Sequence, residues 1–219
     1  MPSGPALTLP ARLLLLAYDP GKDRVTGAPD LPLALRAAAL VELAARGLVQ
    51  EVDGVVTPVL GARTGDAVLD QLLELIEESR PRRWRRLITH HARATHDLAR
   101  RGLVTDGLLR RERGRVLGVL PVTRYRLRRP GYVEAQRAGL LSVLTSPAPA
   151  DDVPPEDATL LVLAASGHLR SLIPTRTRRL HATRLSALSV RAGPHVPPIA
   201  RALEAAVKSA EAARSSGGG

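Results

Sequence analysis

One pattern occurs twice in this chain and restricts its fold: the end of an amphipathic helix, an Arg-Gly pair, a Leu-Val pair and a short β-hairpin. The first copy spans residues 40–59, and the second spans residues 96–127 with a basic spacer inside it. Gly favours the end of a helix, and Asp53-Gly54 in the first copy is typical of a type I′ hairpin turn. Helix-then-hairpin units occur in DNA-binding winged helices and in a helical domain that binds lipid headgroups. The sequence therefore poses a choice between these two classes.

The available core side chains favour helices over sheets. Of the 219 residues, 44% are hydrophobic but only 2% are aromatic. A core of Leu, Val and Ala suits close-packed helices better than a β-sandwich. We expect a mainly α protein: a single compact helical domain with a buried apolar helical core, surrounding amphipathic helices and two short β-hairpins. This domain should cover residues 7–214, between a disordered tail at 1–6 and a flexible tail at 215–219.

Hydrophobic periodicity and helix-ending residues predict where the helices lie. We expect helices over residues 11–18, 33–46, 67–79, 82–101, 132–144, 158–166, 176–189 and 197–214. The helix at 158–166 is apolar on all sides and should be buried. Two segments rich in Pro and acidic residues, 19–32 and 146–157, are expected to be loops.

The net charge predicts a polyanionic partner. The chain carries 32 Lys and Arg residues against 21 Asp and Glu residues, a formal charge of +11. Such an excess favours binding to nucleic acid or to the anionic surface of a membrane. The alternative is a compositional bias toward Arg combined with an ordinary solvated surface.

Cysteine usage and hydropathy bear on the compartment. The chain has no Cys, which excludes disulfides and thiolate metal sites and fits a reducing cytosol. The first residues lack the ordered basic and apolar regions of a signal peptide. No apolar stretch reaches the ~18 residues of a membrane-spanning helix. We therefore expect a cytoplasmic protein that, if it meets a membrane, lies peripherally on the cytosolic face.

No recognisable catalytic grouping occurs in the sequence. Metalloprotease, nucleophile-elbow, Walker and dinucleotide-binding motifs are all missing. His90, His91 and His96 form the densest His cluster, but their spacing does not place them on one helical face. We expect a protein that is not an enzyme and has no catalytic residues, metal site or cofactor.

Arg36 is the first candidate binding residue. It shares one helical stripe with Leu40 and Leu43. A cation at the end of an apolar stripe is costly unless it is paired or faces a pocket. Two interpretations stay open, because the side chain could snorkel at the rim of the core or bind an anion through its planar fork.

The run RPRRWRR at residues 80–86 is the densest positive charge on the chain. Such a run is more often an ordinary solvated helix start, but cations at the start of a helix oppose the helix dipole, so their presence there favours a function. Trp84 lies in the middle of the run and should anchor part of it. We therefore predict that Arg82, Arg83 and Trp84 contact a membrane or a partner.

The second hairpin has an apolar tip between two groups of Arg residues. A tip of this kind suits a membrane surface, a contact between subunits, or a DNA-binding wing with Arg on phosphates. Its apolar residues are continuous, which favours burial against a partner or the core over exposure in a DNA groove. The predicted contact residues are Val116, Leu117, Val119 and Leu120. Self-association through this hairpin is an expected consequence, and we predict a homo-oligomer on that basis.

Five segments, taken in order, resemble the Golgi phosphoprotein 3 family. They are LTLPARLLLLAYD, LALRAAALVELAARGLV, TGDAVLDQLLELIEES, HDLARRGLV with the LPVTRYRL hairpin, and DATLLVLAASGHL. The resemblance extends over residues 7–207, and the TGD segment is its most specific part. It implies a mostly helical domain that binds phosphatidylinositol 4-phosphate at a membrane and acts as an adaptor for membrane-protein clients.

The resemblance also implies a lipid-headgroup pocket built from one Trp and several Arg residues. Arg36 matches one pocket Arg, while Ile88 and His91 fall where two others would lie, with Arg93 close by. No aromatic residue occurs at 25–35, where the pocket Trp is expected. The candidate residues for lipid-headgroup binding are therefore Arg36, His91 and Arg93.

Two other functions stay open on the sequence alone. In a winged-helix DNA-binding protein, residues 36–46 would form the recognition helix, but RAAALVELAAR has few polar side chains to read base edges. Nucleic acid is therefore the less favoured partner. The other alternative is a protein–protein scaffold that uses the second hairpin and binds no lipid.

Overall fold

Ten α-helices form most of the described chain. A computed structural model describes residues 7–116 and 120–216, with the side chains of 114–122 left out of the description. The helices are α1 Leu9–Ala17, α2 Leu31–Ala45, α3 Ala67–Glu78, α4 Trp84–Thr89, α5 Ala92–Thr105, α6 Pro130–Thr145, α7 Pro155–Ser166, α8 Thr175–Leu180, α9 Ala182–Arg191 and α10 Val196–Ser216. The prediction of a mainly α domain is confirmed.

Six strands pair as three separate two-stranded antiparallel sheets. They are β1 Tyr18–Asp19 with β2 Arg24–Val25, β3 Val49–Val52 with β4 Val55–Pro58, and β5 Leu109–Val116 with β6 Leu120–Leu127. The last two pairs are the predicted hairpins. The β1–β2 pair lies in the segment 19–32 that we expected to be a loop, except for Tyr18, which we expected to end the first helix. Two-residue strands leave no periodic signal in a sequence.

Helix α2 runs through the centre of the core and contacts α1, α3, α4, α5, α7 and α10. Its Ala-rich sequence allows this close approach, and residues 34–44 are all buried. A Cβ atom at Gly167 would lie 2.8 Å from the Cβ of Ala34, so the end of α7 needs Gly to reach α2. Since α2 is enclosed by other helices, it is not available as a recognition helix for DNA.

The two copies of the repeated unit end their helices at different places. In the first copy, Gly47 has φ +69° and Leu48 N–H donates to the Leu43 carbonyl at 2.9 Å. In the second copy, Gly107 has φ +70° and Leu108 N–H donates to the Leu103 carbonyl at the same distance. Gly107 is therefore the equivalent of Gly47, and the prediction that α5 stops at Gly102 is wrong.

Two helices that we expected to be continuous are each broken in two. The segment at 82–101 divides at His90 and His91, where His91 has φ +54°. The segment at 176–189 divides at His181, between α8 and α9.

The last helix, α10, reaches Ser216, two residues into the expected flexible tail. The expected tail at 1–6 and residues 217–219 lie outside the described residues.

The Thr64-Gly65-Asp66 motif opens α3 by satisfying the free N–H groups at its start. Asp66 Oδ1 accepts from the N–H groups of Val68 and Leu69, at 2.8 and 3.0 Å. Asp70 reaches back and accepts from Thr64 N–H at 2.6 Å. The most specific segment of the family resemblance is therefore a helix cap.

We expect Asp66→Ala to lower the free energy of unfolding by about 1 kcal/mol, because two N–H groups at the helix start lose their acceptor. Asp66→Ser is the matched control, since Ser also caps helices well. Urea denaturation measures both variants. An Asp66→Ala protein as stable as the wild type would mean that this cap does not stabilise α3.

Candidate anion site at the start of helix α5

A cavity of about 480 Å³ lies where the start of α2, the break between α4 and α5, and the end of α10 meet. His91 and Arg93 both line it, as do Asp30 and Arg214. Both His91 and Arg93 are exposed. The structure thus brings two of the three predicted headgroup residues together in one open pocket.

The N-terminus of α5 forms one wall of this pocket through Ala92, Arg93 and Ala94. Ala94 N–H donates to the His91 carbonyl at 3.0 Å. Within the described residues, the N–H groups of Ala92 and Arg93 have no acceptor, and no side chain caps the helix. A helix start with free N–H groups attracts anions through those donors and through the helix dipole.

The third predicted residue, Arg36, is buried next to this wall rather than exposed in it. Its side chain is 1% exposed, and Nη2 donates to the His90 carbonyl at 2.7 Å. The Nε and Nη1 atoms are buried and have no partner among the described residues. The guanidinium does not reach solvent, so snorkelling at the core rim does not describe it.

Burial lowers the pKa of Arg36 to about 10, because the charged form is poorly solvated inside the protein. The side chain is therefore still protonated at neutral pH. In the described part of the chain, no carboxylate lies within ion-pair distance of it. An uncompensated positive charge inside the protein is costly for folding and raises the positive potential around it.

Asp30 and Arg214 form a two-pronged ion pair on the opposite wall. Arg214 Nη1 and Nη2 donate to the two carboxylate oxygens of Asp30, each at 2.7 Å. This pairing raises the pKa of Arg214. Arg214 was not among the site residues predicted from the sequence, because locally it is only a basic residue in the last turn of an Ala-rich helix. In the pocket, Asp30 neutralises Arg214, which leaves Arg93 as a cation without a carboxylate partner among the described side chains.

A larger cavity of about 870 Å³ lies between the start of α1 and the end of α5. Its three Arg residues, Arg12, Arg46 and Arg129, are balanced by three carboxylates, Glu42, Asp106 and Glu156; Arg12 pairs with Glu156 at 2.6 Å and Arg46 pairs with Glu42. Size alone therefore does not make it the better anion site. The pocket at the start of α5 has the more favourable electrostatics.

The sequence of the chain matches a known protein family. A model of the family described as Golgi phosphoprotein 3 (GPP34) matches residues 9–210. The chain belongs to the Golgi phosphoprotein 3 family. This membership confirms the resemblance drawn from the five ordered segments. A search of curated proteins found no match.

In this Golgi phosphoprotein 3 family member, some residues that we predicted to contact a membrane or a partner are buried. Trp84 is only 6% exposed, and its Nε1 donates to Glu51 Oε2 at 2.8 Å. The ring packs into the core, so Trp84 is not available as a surface contact. Arg82 is half-buried beside β4, where its carbonyl accepts from Val56 N–H at 2.9 Å, while Arg83 is exposed.

The predicted contact at the second hairpin is only partly described. Val116 and Leu120 are opposite each other at the end of the β5–β6 pair. Leu117 and Val119 lie outside the described residues, and so do the side chains of Val116 and Leu120. The role of this tip stays a prediction. Among the described residues, no helix combines the length and apolar character needed to cross a bilayer.

Proposed function

We propose that this Golgi phosphoprotein 3 family member is a non-enzymatic, peripheral membrane protein that binds anionic lipid headgroups. The candidate lipid is phosphatidylinositol 4-phosphate, and the candidate site is the pocket at the start of α5. One observation carries the proposal: the buried, uncompensated Arg36 cation adjoins an uncapped helix N-terminus that opens into a pocket.

In this proposal a headgroup phosphate binds to donors that the pocket already presents. The free N–H groups of Ala92 and Arg93 donate to phosphate oxygens, and the Arg93 guanidinium adds a charge-assisted hydrogen bond. His91 supplies a further donor from the helix start. Arg36 acts from beneath, since its hydrogen bond to the His90 carbonyl holds the break that exposes the start of α5.

The rest of the molecule supports attachment to a surface. The formal charge of +11 attracts an anionic leaflet, and each Lys or Arg held near it adds about 1 kcal/mol. Binding on the cytosolic face would place the protein where it can act as an adaptor for membrane-protein clients. Self-association through the second hairpin would raise the avidity of a single weak headgroup site.

Vesicle flotation with the full chain tests the proposal. We expect Arg93→Gln to weaken binding to phosphatidylcholine vesicles containing phosphatidylinositol 4-phosphate roughly tenfold, the effect of losing a charge-assisted hydrogen bond of about 1.5 kcal/mol. The matched control is Arg101→Gln, which removes the same charge from an exposed position at the other end of α5.

The control variant should bind nearly as well as the wild type. Equal losses in Arg93→Gln and Arg101→Gln would mean that vesicle binding depends only on overall charge, which would contradict a defined site. Unchanged binding in both variants would mean that the headgroup does not bind at α5.

A further inference from the structure

A long acid-free segment forms a second basic region. Between Asp157 and Glu204 the chain has no acidic residue and seven Arg residues: Arg170, Arg176, Arg178, Arg179, Arg184, Arg191 and Arg201. The segment folds into most of α7, all of α8 and α9, and the start of α10. None of these residues belongs to the proposed headgroup pocket.

Some of these Arg residues have a structural role, and others have none. Arg184 and Arg191 donate to backbone carbonyls, including that of Val153 at 2.7 Å, and Arg170 pairs with Glu211 at 3.5 Å. The described residues offer no side-chain or backbone acceptor to the guanidinium groups of Arg178 and Arg179. These two cations are therefore available to a partner.

An apolar groove of about 510 Å³ lies directly beside the available cations, between α7, α8–α9 and α10. Val162, Ala165 and Ala200 form its buried floor. Arg178 and Arg179 stand along one edge, and the groove also contains Glu204, which pairs with Lys208 at 3.2 Å.

Leu180 and Val190 directly follow the groove residues Arg179 and Ser189 in the chain, and each is 77% exposed. Apolar surface next to unpaired cations suits a partner that is both apolar and acidic. Nucleic acid would pair with the Arg residues but would leave this apolar surface unused.

The groove and the headgroup pocket open in different directions. Both touch α10, the groove at Pro197, Ala200, Arg201 and Glu204, and the pocket at Ala210 and Arg214. At 100° and 1.5 Å per residue, the two sets lie roughly 110° apart around the helix and about 17 Å apart along it. A membrane that meets the pocket is therefore not positioned to fill the groove, which favours a protein as the occupant.

We propose that this groove is the docking site for an acidic, amphipathic segment of a partner protein. An apolar side chain of the segment would contact Val162 and Ala165 on the floor. Its carboxylates would pair with Arg178 and Arg179, whose guanidinium groups can each donate two parallel hydrogen bonds to a carboxylate. The groove volume lies within the range of about 300–1,000 Å³ that is usual for ligand-binding clefts.

A displayed library of short random peptides, selected on the full chain, tests this proposal. We expect the selected peptides to combine Asp or Glu with Leu, Ile, Val or aromatic residues. Binding of these peptides should fall at least about tenfold in Arg178→Gln/Arg179→Gln. The matched control is Arg24→Gln/Arg101→Gln, which removes the same charge from two exposed positions elsewhere and should change binding less than about twofold.

A second variant blocks the groove without changing its charge. Ser186→Trp puts a bulky ring into the groove from an exposed position and keeps the net charge, so it should also abolish peptide binding. Equal losses in the two double variants, or full binding to Ser186→Trp, would overturn the proposal. So would selected peptides without acidic residues. A larger loss of binding to phosphatidylserine vesicles in Arg178→Gln/Arg179→Gln than in the control would overturn it as well, because a membrane would then be the occupant.

Discussion

Replacing Trp84 with Ala should lower the free energy of unfolding by about 3–5 kcal/mol, the usual cost of removing a buried aromatic side chain. The ring is 6% exposed and packs within the core, and its Nε1 loses the hydrogen bond to Glu51. Besides this single Trp, the chain has no Phe and three Tyr, so few aromatic side chains contribute to the core. Urea denaturation followed by circular dichroism measures the loss.

Trp84→Phe is the matched control, because it keeps most of the buried apolar surface and removes only the Nε1 donor and one ring. Its loss of stability should be clearly smaller than that of Trp84→Ala. A Trp84→Ala protein that is as stable as the wild type but binds vesicles poorly would restore the sequence-based prediction of a surface contact. Because the ring is buried, we expect instead that Trp84→Ala is less stable and that its folded form still binds vesicles.

Arg36→Met should leave stability unchanged or raise it by about 1–3 kcal/mol, because a well-packed apolar side chain avoids the cost of a buried charge. The shift of the Arg36 pKa from 12.5 to about 10 corresponds to a cost of roughly 3 kcal/mol for the charged form, at 1.36 kcal/mol per unit. The lost hydrogen bond to the His90 carbonyl offsets part of the gain. The same variant should bind phosphatidylinositol 4-phosphate vesicles several-fold more weakly.

Opposite effects on stability and binding are what distinguish a functional charge from a structural one. Arg36→Ala is the control, since it removes the charge but also leaves a cavity, and it should therefore be less stable than Arg36→Met. If Arg36→Met is strongly destabilised, the guanidinium is needed for folding. If it is stable and binds vesicles normally, the buried charge has no part in headgroup binding.

Much of the fold could be predicted because its signals are local. Asp53 and Gly54 both have positive φ, at 52° and 76°, as the Asp-Gly turn of the first hairpin required. Gly47 ends α2 in the left-handed conformation, as the Arg-Gly pair indicated. In each case a few neighbouring residues determine the backbone, so the sequence is sufficient.

The structure differs from the sequence-based prediction where contacts between residues far apart in the chain determine the backbone. Nothing near His90 and His91 breaks a helical pattern, yet the Arg36 side chain binds the His90 carbonyl from 54 positions away. Asp30 and Arg214 are separated by 184 positions, so their ion pair leaves no local trace. The candidate pocket depends on both contacts, which explains why Arg214 could not be placed there from the sequence.

Titration of the soluble headgroup inositol 1,4-bisphosphate into the isotope-labelled full chain would show whether a headgroup binds at the start of α5. Binding there should give saturable shifts of the Ala92 and Arg93 backbone amide resonances, because those N–H groups would donate to the phosphate. The shifts should require a higher concentration in Arg36→Met. Small, unsaturated shifts spread over many Arg residues, with none at Ala92 and Arg93, would contradict a headgroup site at the start of α5.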